Sequence, residues 1–261
     1  MSIDTKLITK LRGLTGAGIS DCKQVLEEAL GDMDKAVELL RKKGAVKAAK
    51  KSERETKEGV IAMTQDGNRV AIAALACETD FVARNQDFIQ AVSDFAKQLL
   101  ALGQDDFKVW VQAKIKDELI VKIGENIQLV ESEIIEGEVL GAYLHSNKKV
   151  ASVVVLSGGS QELAIDLAMQ VAAMSPKYVK PEDISSEEIE KEKEIYREQL
   201  KSEGKPEAMW EKIMPGKLNK YYQEVCLLNQ PFIKEDKLSV QDYIKKQGEG
   251  IAIVKFSRYQ I

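Results

Sequence analysis

The chain has 261 residues, of which 44% are hydrophobic and 31% charged, with a formal net charge of −4. That length accommodates two or more domains with their own cores, and the acidic balance argues against non-specific nucleic-acid binding as the main task. The longest apolar runs, at 71–77 and 150–156, are too short to span a bilayer. No apolar signal segment follows Met1-Ser2-Ile3-Asp4-Thr5-Lys6. Three widely spaced cysteines (Cys22, Cys77, Cys226) fit a reducing compartment, so a cytoplasmic location is expected. With one histidine, His145, and no Cys-x-x-Cys pair, the composition offers no His-rich metal site, and no cofactor is expected.

Residues 1–44 read as three short amphipathic helices forming a small bundle. Ile3, Leu7 and Leu11 line the first. Cys22, Val25, Leu26, Ala29 and Leu30 line the second, with Ser20 as N-cap and Gly31 as stop. Asp32 caps the third, which carries Met33, Ala36, Val37 and Leu40 and ends at Gly44. The arrangement resembles the ubiquitin-associated type of domain. Between the first two helices, Gly13-Leu14-Thr15-Gly16-Ala17-Gly18-Ile19-Ser20 mimics the spacing of a phosphate-binding loop. Such a loop needs a preceding strand and a lysine where Ile19 stands, so a tight turn is expected and nucleotide binding by this chain is not. Residues 45–58 contain Lys47, Lys50, Lys51, Arg54 and Lys57, diluted by Glu53, Glu55 and Glu58. They read as a solvated helical linker rather than a nucleic-acid arm.

The middle of the chain repeats one pattern. Two apolar runs at 60–63 and 70–75 flank Gln65-Asp66-Gly67-Asn68, a strong hairpin turn signal. Runs at 139–143 and 150–156 flank the weaker turn His145-Ser146-Asn147-Lys148. An apolar helix follows each hairpin, at 88–102 and 163–174, so an α+β fold with a core of two sheet-plus-helix subdomains (59–138; 139–183 with 227–261) is expected. His145 then lies at a hairpin tip.

Between the halves of the second subdomain, 184–226 reads as an inserted antiparallel helical hairpin of the coiled-coil kind. Ser185-Ser186-Glu187-Glu188 supplies a capping box, and Ile189, Tyr196 and Leu200 give a narrow apolar stripe. Gly204-Lys205-Pro206 breaks the helix, and Pro206 is placed to start another. Trp210, Ile213, Met214, Leu218, Tyr222 and Val225 line the return arm, which Pro215-Gly216 should kink or interrupt. A capped helix near 239–246 and a strand at 251–256, returning to the second subdomain, close the chain.

The most informative stretch is Cys77-Glu78-Thr79-Asp80-Phe81-Val82-Ala83-Arg84-Asn85, where a buried strand gives way to a helix. Periodicity alone makes Phe81 a core residue, since it stands seven positions before Phe88 on one helical face. A set of motifs points elsewhere: Thr15-Gly16-Ala17-Gly18 with Asp21-Cys22-Lys23, Gly31-Asp32, Ala45-Val46-Lys47-Ala48-Ala49-Lys50-Lys51, Thr79-Asp80-Phe81-Val82, Lys122-Ile123-Gly124-Glu125-Asn126-Ile127 and Gln230-Pro231-Phe232. In this order they resemble the elongation factor Ts family over nearly the whole chain.

The resemblance implies a guanine-nucleotide exchange factor for elongation factor Tu. It implies that Phe81 enters a side-chain pocket of the partner's GTPase domain with Asp80 beside it, and that Thr79 to Val82 disturb the groups holding the nucleotide-bound magnesium. Ile123 and Gly124 match contacts to the same domain, His145 matches a position facing the partner's third domain, and Ile19 and Ser20 match a contact to a partner helix. Ser20 is polar where many members are apolar, so that contact is expected to be weaker. The chain ends soon after Phe256, where some members continue into a helix touching the partner, so that contact is expected to be absent or replaced. Two other classes compete: an adaptor without exchange activity using the N-terminal helices, and a hydrolase pairing Cys77 or Cys226 with His145. The hydrolase lacks a group in the sequence to orient the histidine.

Overall fold

In a computed structural model the chain is described over residues 4–51 and 53–261. Ile3 and the side chains at 45 and 47–50, with the expected contributions of Lys47 and Lys50, lie outside the described residues. The fold mixes helices with small sheets, an α+β architecture, in two compact units: 1–135 with 146–149 and 260–261, and 136–145 with 150–259. Among the described residues no helix is long and apolar enough to cross a membrane.

The first unit begins with α1 (Thr5–Thr15), α2 (Ile19–Glu28) and α3 (Met33–Lys51), packed around Leu11, Cys22, Val25, Leu26, Ala36 and Leu40. Asp32 Oδ1 accepts from the amides of Asp34 (3.0 Å) and Lys35 (3.1 Å), capping α3 as expected. The glycine-rich segment is a turn between helices: Gly16 sits at φ 68° and donates its N–H to Arg12 O. Ser20 does not cap α2. Gly18, in extended backbone, holds that position, so Ser20 falls inside the first turn. Nor does α3 end at Gly44. It runs on to Lys51, because Gly44 serves close packing rather than termination: a Cβ there would lie 2.3 Å from Val121 Cγ2.

The end of α2 carries a cost. Gly31 N–H bonds Leu26 O at 2.9 Å, and Leu30 takes the left-handed position (φ 52°) usually given to Gly or Asn. Leu30 is 84% exposed, so no burial offsets the backbone strain of about 1–2 kcal/mol. Leu30→Asn is therefore expected to stabilise the chain by about 1 kcal/mol. A urea midpoint that stays put or falls would refute this assignment of strain.

β1 (Glu58–Asp66) and β2 (Arg69–Cys77) pair antiparallel from Glu58↔Cys77 to Asp66↔Arg69, leaving Gly67-Asn68 as a two-residue turn with Gly67 at φ 57°. β2 is buried from Val70 to Cys77, so both of its faces are covered. After the one-turn helix α4 (Asp80–Ala83) comes α5 (Gln86–Leu102), whose Phe88, Val92, Phe95 and Leu99 share a core with Ala71, Ala73 and Leu75. α6 (Gln104–Lys114) adds Phe107 and Trp110, whose ring centroid lies 5.3 Å edge-on from that of Phe95. A π-helical turn (Ile115–Leu119) leads into α7 (Ile120–Ile123), and β3 (Ile127–Glu136) completes the sheet in the order β1-β2-β3.

In the second unit, β4 (Val139–Leu144) and β5 (Val150–Ser157) form an antiparallel hairpin that β8 (Ala252–Gln260) joins in the order β4-β5-β8. α8 (Gln161–Met174), α11 (Val240–Gln247) and the short pair β6 (Pro231–Phe232) and β7 (Glu235–Ser239) cover the core of Val154, Leu156, Leu167, Val171 and Phe232. Gln230-Pro231-Phe232 works within this core. Buried Gln230 donates to Glu224 O (3.0 Å) and accepts from buried Gln170 Nε2 (3.1 Å), while Phe232 stacks on Tyr243 at 4.0 Å.

Between α8 and β6, α9 (Ser186–Ser202) and α10 (Trp210–Val225) pack against each other. Ser185 caps α9, but only half the capping box forms. Glu188 turns away from the cap to accept the hydroxyls of Tyr178 (2.5 Å) and Tyr221 (2.7 Å), which hold its carboxyl below the usual range. α10 passes through Pro215-Gly216 without interruption, although Pro215 has no N–H to give the Glu211 carbonyl. At the base, Tyr178 and Cys226 pair across the two crossings: Lys177 N and Tyr178 N donate to Val225 O, Leu227 N to Tyr178 O and Leu228 N to Val179 O.

Candidate functional site

Phe81 is 83% exposed while Phe88 is fully buried, so the two do not share a face. The helix expected to run through both is broken between them. Asn85, in extended backbone, caps α5 by accepting from Asp87 N at 2.8 Å, which ends α4 at Ala83. Within α4 the single turn sorts its residues: Val82 and Ala83 pack on the β2–α5 core, and Phe81 points away. Asp80 is half-buried and pairs with Arg84 at 3.2 Å, an exposed i,i+4 pair of small energetic worth.

Thr79 is the N-cap of α4. Its hydroxyl accepts from Val82 N (3.4 Å) and donates to Glu125 Oε1 (2.6 Å). Glu125 Oε2 accepts from the amides of Glu78 (3.0 Å) and Thr79 (3.1 Å). The tie is reciprocal, since Glu78 Oε1 accepts from Asn126 N at 2.6 Å, and buried Asn126 donates from its side chain to Arg54 O at 2.8 Å. Gly124, at φ 84°, ends α7 and turns the chain toward this cluster, while Lys51 Nζ bonds its carbonyl. Ile123 packs half-buried on the core that also takes Val82, and Gly124 is exposed.

Thr79, Asp80, Phe81, Val82, Ile123 and Gly124 thus stand on two adjoining turns. Ile19 and Ser20 are exposed at the start of α2 in the same unit. His145 belongs to the second unit, exposed after β4, with its Nδ1 2.9 Å from the Tyr143 hydroxyl. Glu125 and Asn126 join the site from the structure. Their signal in the sequence is their place beside Ile123-Gly124, but side-chain-to-backbone bonds across more than forty positions leave no local pattern.

Cys77 and Cys226 are both buried free thiols rather than exposed, activated ones. Burial pushes Cys77 up to about 12 and Cys226 up to about 11, so both stay protonated at neutral pH, and His145 is engaged with Tyr143. Among the described residues no cluster of three or more His, Cys, Asp or Glu is arranged to hold a metal ion.

The family profile described as Elongation factor TS matches residues 78–261, from the Glu78 of this cluster to the last residue. The chain belongs to the elongation factor Ts family. It is 42% identical over 274 residues to the elongation factor Ts of Hydrogenobaculum sp. (strain Y04AAS1), covering all of this chain and 99% of the relative. It is also 42% identical over 286 residues to that of Aquifex aeolicus (strain VF5), covering 98% of it, and 39% identical over 270 residues to that of Idiomarina loihiensis, covering 91%. Membership of the elongation factor Ts family spans both units, since the profile begins in the first and includes the second.

Proposed function

We propose that this translation elongation factor is a guanine-nucleotide exchange factor: it binds elongation factor Tu carrying GDP and promotes GDP release during protein synthesis, making and breaking no covalent bond. The observation that carries the reading is Phe81, a large apolar side chain left 83% exposed on a turn tied down by Glu125. In this reading Phe81 enters a pocket of the partner's GTPase domain, and Thr79, Asp80, Phe81 and Val82 together disturb the groups around the nucleotide-bound magnesium. Ile123 and Gly124 touch the same domain, His145 faces the partner's third domain, and Ile19 and Ser20 meet a partner helix. Residues 1–44 act as a ubiquitin-associated-like bundle, 45–58 as a linker, 59–138 and 139–183 with 227–261 as the two core subdomains, and 184–226 as an inserted coiled-coil hairpin. The site of action is the cytoplasm, with neither membrane, cofactor nor direct nucleic-acid contact.

Magnitude limits the ring. Burying one Phe contributes about 1.5–3 kcal/mol, or about one to two powers of ten in an equilibrium constant. Faster release by several powers of ten requires the wider interface to favour the nucleotide-free partner. Reciprocity follows: the factor by which this chain weakens GDP binding is the factor by which GDP weakens binding of this chain. Substoichiometric protein is expected to accelerate loss of labelled GDP from elongation factor Tu. Equal affinity for the GDP-bound and nucleotide-free partner in calorimetric titration, the behaviour of an adaptor, would sink the reading.

A further inference from the structure

We infer that Glu125 is a positioning residue for exchange: its carboxylate fixes the turn from β2 into α4 in the conformation that presents Phe81. The inference rests on the exchange reading and adds to it a residue that need not touch the partner.

The need for such a residue is physical. The β1–β2 pairing ends at Cys77, so the amides of Glu78 and Thr79 lie beyond that ladder and need other acceptors. α4 has four residues, a single turn, too short to sustain itself because helix nucleation is unfavourable. One carboxylate answers both needs. Oε2 takes the two amides, and Oε1 takes the Thr79 hydroxyl hydrogen, which leaves a hydroxyl lone pair free to cap Val82 N. Gly124 in the left-handed region brings Glu125 round to the turn, and the Asn126–Glu78 bond closes the pair from the other side. The ring is therefore presented by contacts that do not involve it. A turn ordered before docking spares the complex the entropy of ordering it on contact.

The test combines hydrogen exchange with kinetics on the full chain. Glu125→Ala is expected to speed amide exchange at Glu78, Thr79 and Val82 about tenfold or more, and to slow stimulated GDP release from elongation factor Tu about tenfold. Glu125→Gln keeps a carbonyl for the two amides, while its NH2 can donate to the Thr79 oxygen. It is expected to release GDP within about threefold of wild type, and it also serves if the alanine variant does not fold. In the Phe81→Ala background, Glu125→Ala is expected to add little further loss, because the ring it positions is gone. Unchanged amide protection in Glu125→Ala, or a loss that adds fully to that of Phe81→Ala, overturns the inference while leaving the exchange reading standing. A wild-type chain that does not accelerate GDP release overturns the exchange reading and takes the inference down with it.

Discussion

Phe81→Ala is expected to slow stimulated GDP release from elongation factor Tu about tenfold or more while leaving the unfolding midpoint of the chain where it was. The two halves of that result come from one number. A side chain 83% exposed gives up almost no buried area on truncation, so stability should move by less than about 0.5 kcal/mol. The same area is available to a pocket on a partner, where its loss is worth about 1.5–3 kcal/mol. A core phenylalanine would behave in the opposite way: Phe88, fully buried, should lower stability by about 3–5 kcal/mol when cut to alanine. Stopped-flow release of a fluorescent GDP and thermal melting on the same preparations separate the cases. Normal exchange by Phe81→Ala would mean that the ring is a bystander on the surface.

Gly141→Ala should be among the most damaging small substitutions in the second unit, lowering stability by about 3 kcal/mol or more. Gly141 pairs with Val154 in the β4–β5 hairpin and lies under α8. A methyl group there would sit 2.0 Å from the carbonyl carbon of Ala164, 2.1 Å from its oxygen and 2.3 Å from the amide nitrogen of Ile165. These are main-chain atoms of a helix, so no rotamer relieves the clash and α8 must move off the strand. Gly216 provides the contrast. It lies inside α10, and a methyl group added there would meet nothing within 4 Å, so Gly216→Ala should raise stability by about 0.5–1 kcal/mol through helix propensity. One chemical change with opposite signs at two glycines is the expected melting result. A Gly141→Ala chain that melts like wild type would contradict the close approach of β4 and α8.

Much of this architecture is legible in the sequence where local chemistry decides. Asp66-Gly67 announces its hairpin because a two-residue turn demands a positive φ, and Asp32 and Ser185 act as caps where their side chains reach the next amides. The misreadings occur where distant contacts override local signals. Gly44 looks like a stop until Val121 is seen against it, and Glu188 looks like a box partner until Tyr178 and Tyr221 capture its oxygens. β3 alternates weakly, with Glu131, Glu133 and Glu136 among its apolar residues, and the π-helical turn at Ile115–Leu119 has no signature in periodicity. At the candidate site, the seven-residue spacing of Phe81 and Phe88 misleads because Asn85 resets the helix between them. The family motifs mark the turn; exposure and the Glu125 bonds come only from the fold.

The laced crossings beneath α9 and α10 separate reach from foundation. Because 177–179 and 225–228 are held together by main-chain bonds, the segment between them is closed at its root, ahead of α9 and at the last residue of α10. Lengthening both helices by a matched turn near Gly204, about 5.4 Å along the axis, changes how far the pair extends and leaves the main-chain bonds at its root in place. Evolution is free to tune that span as a ruler, independently of the platform on which it is mounted.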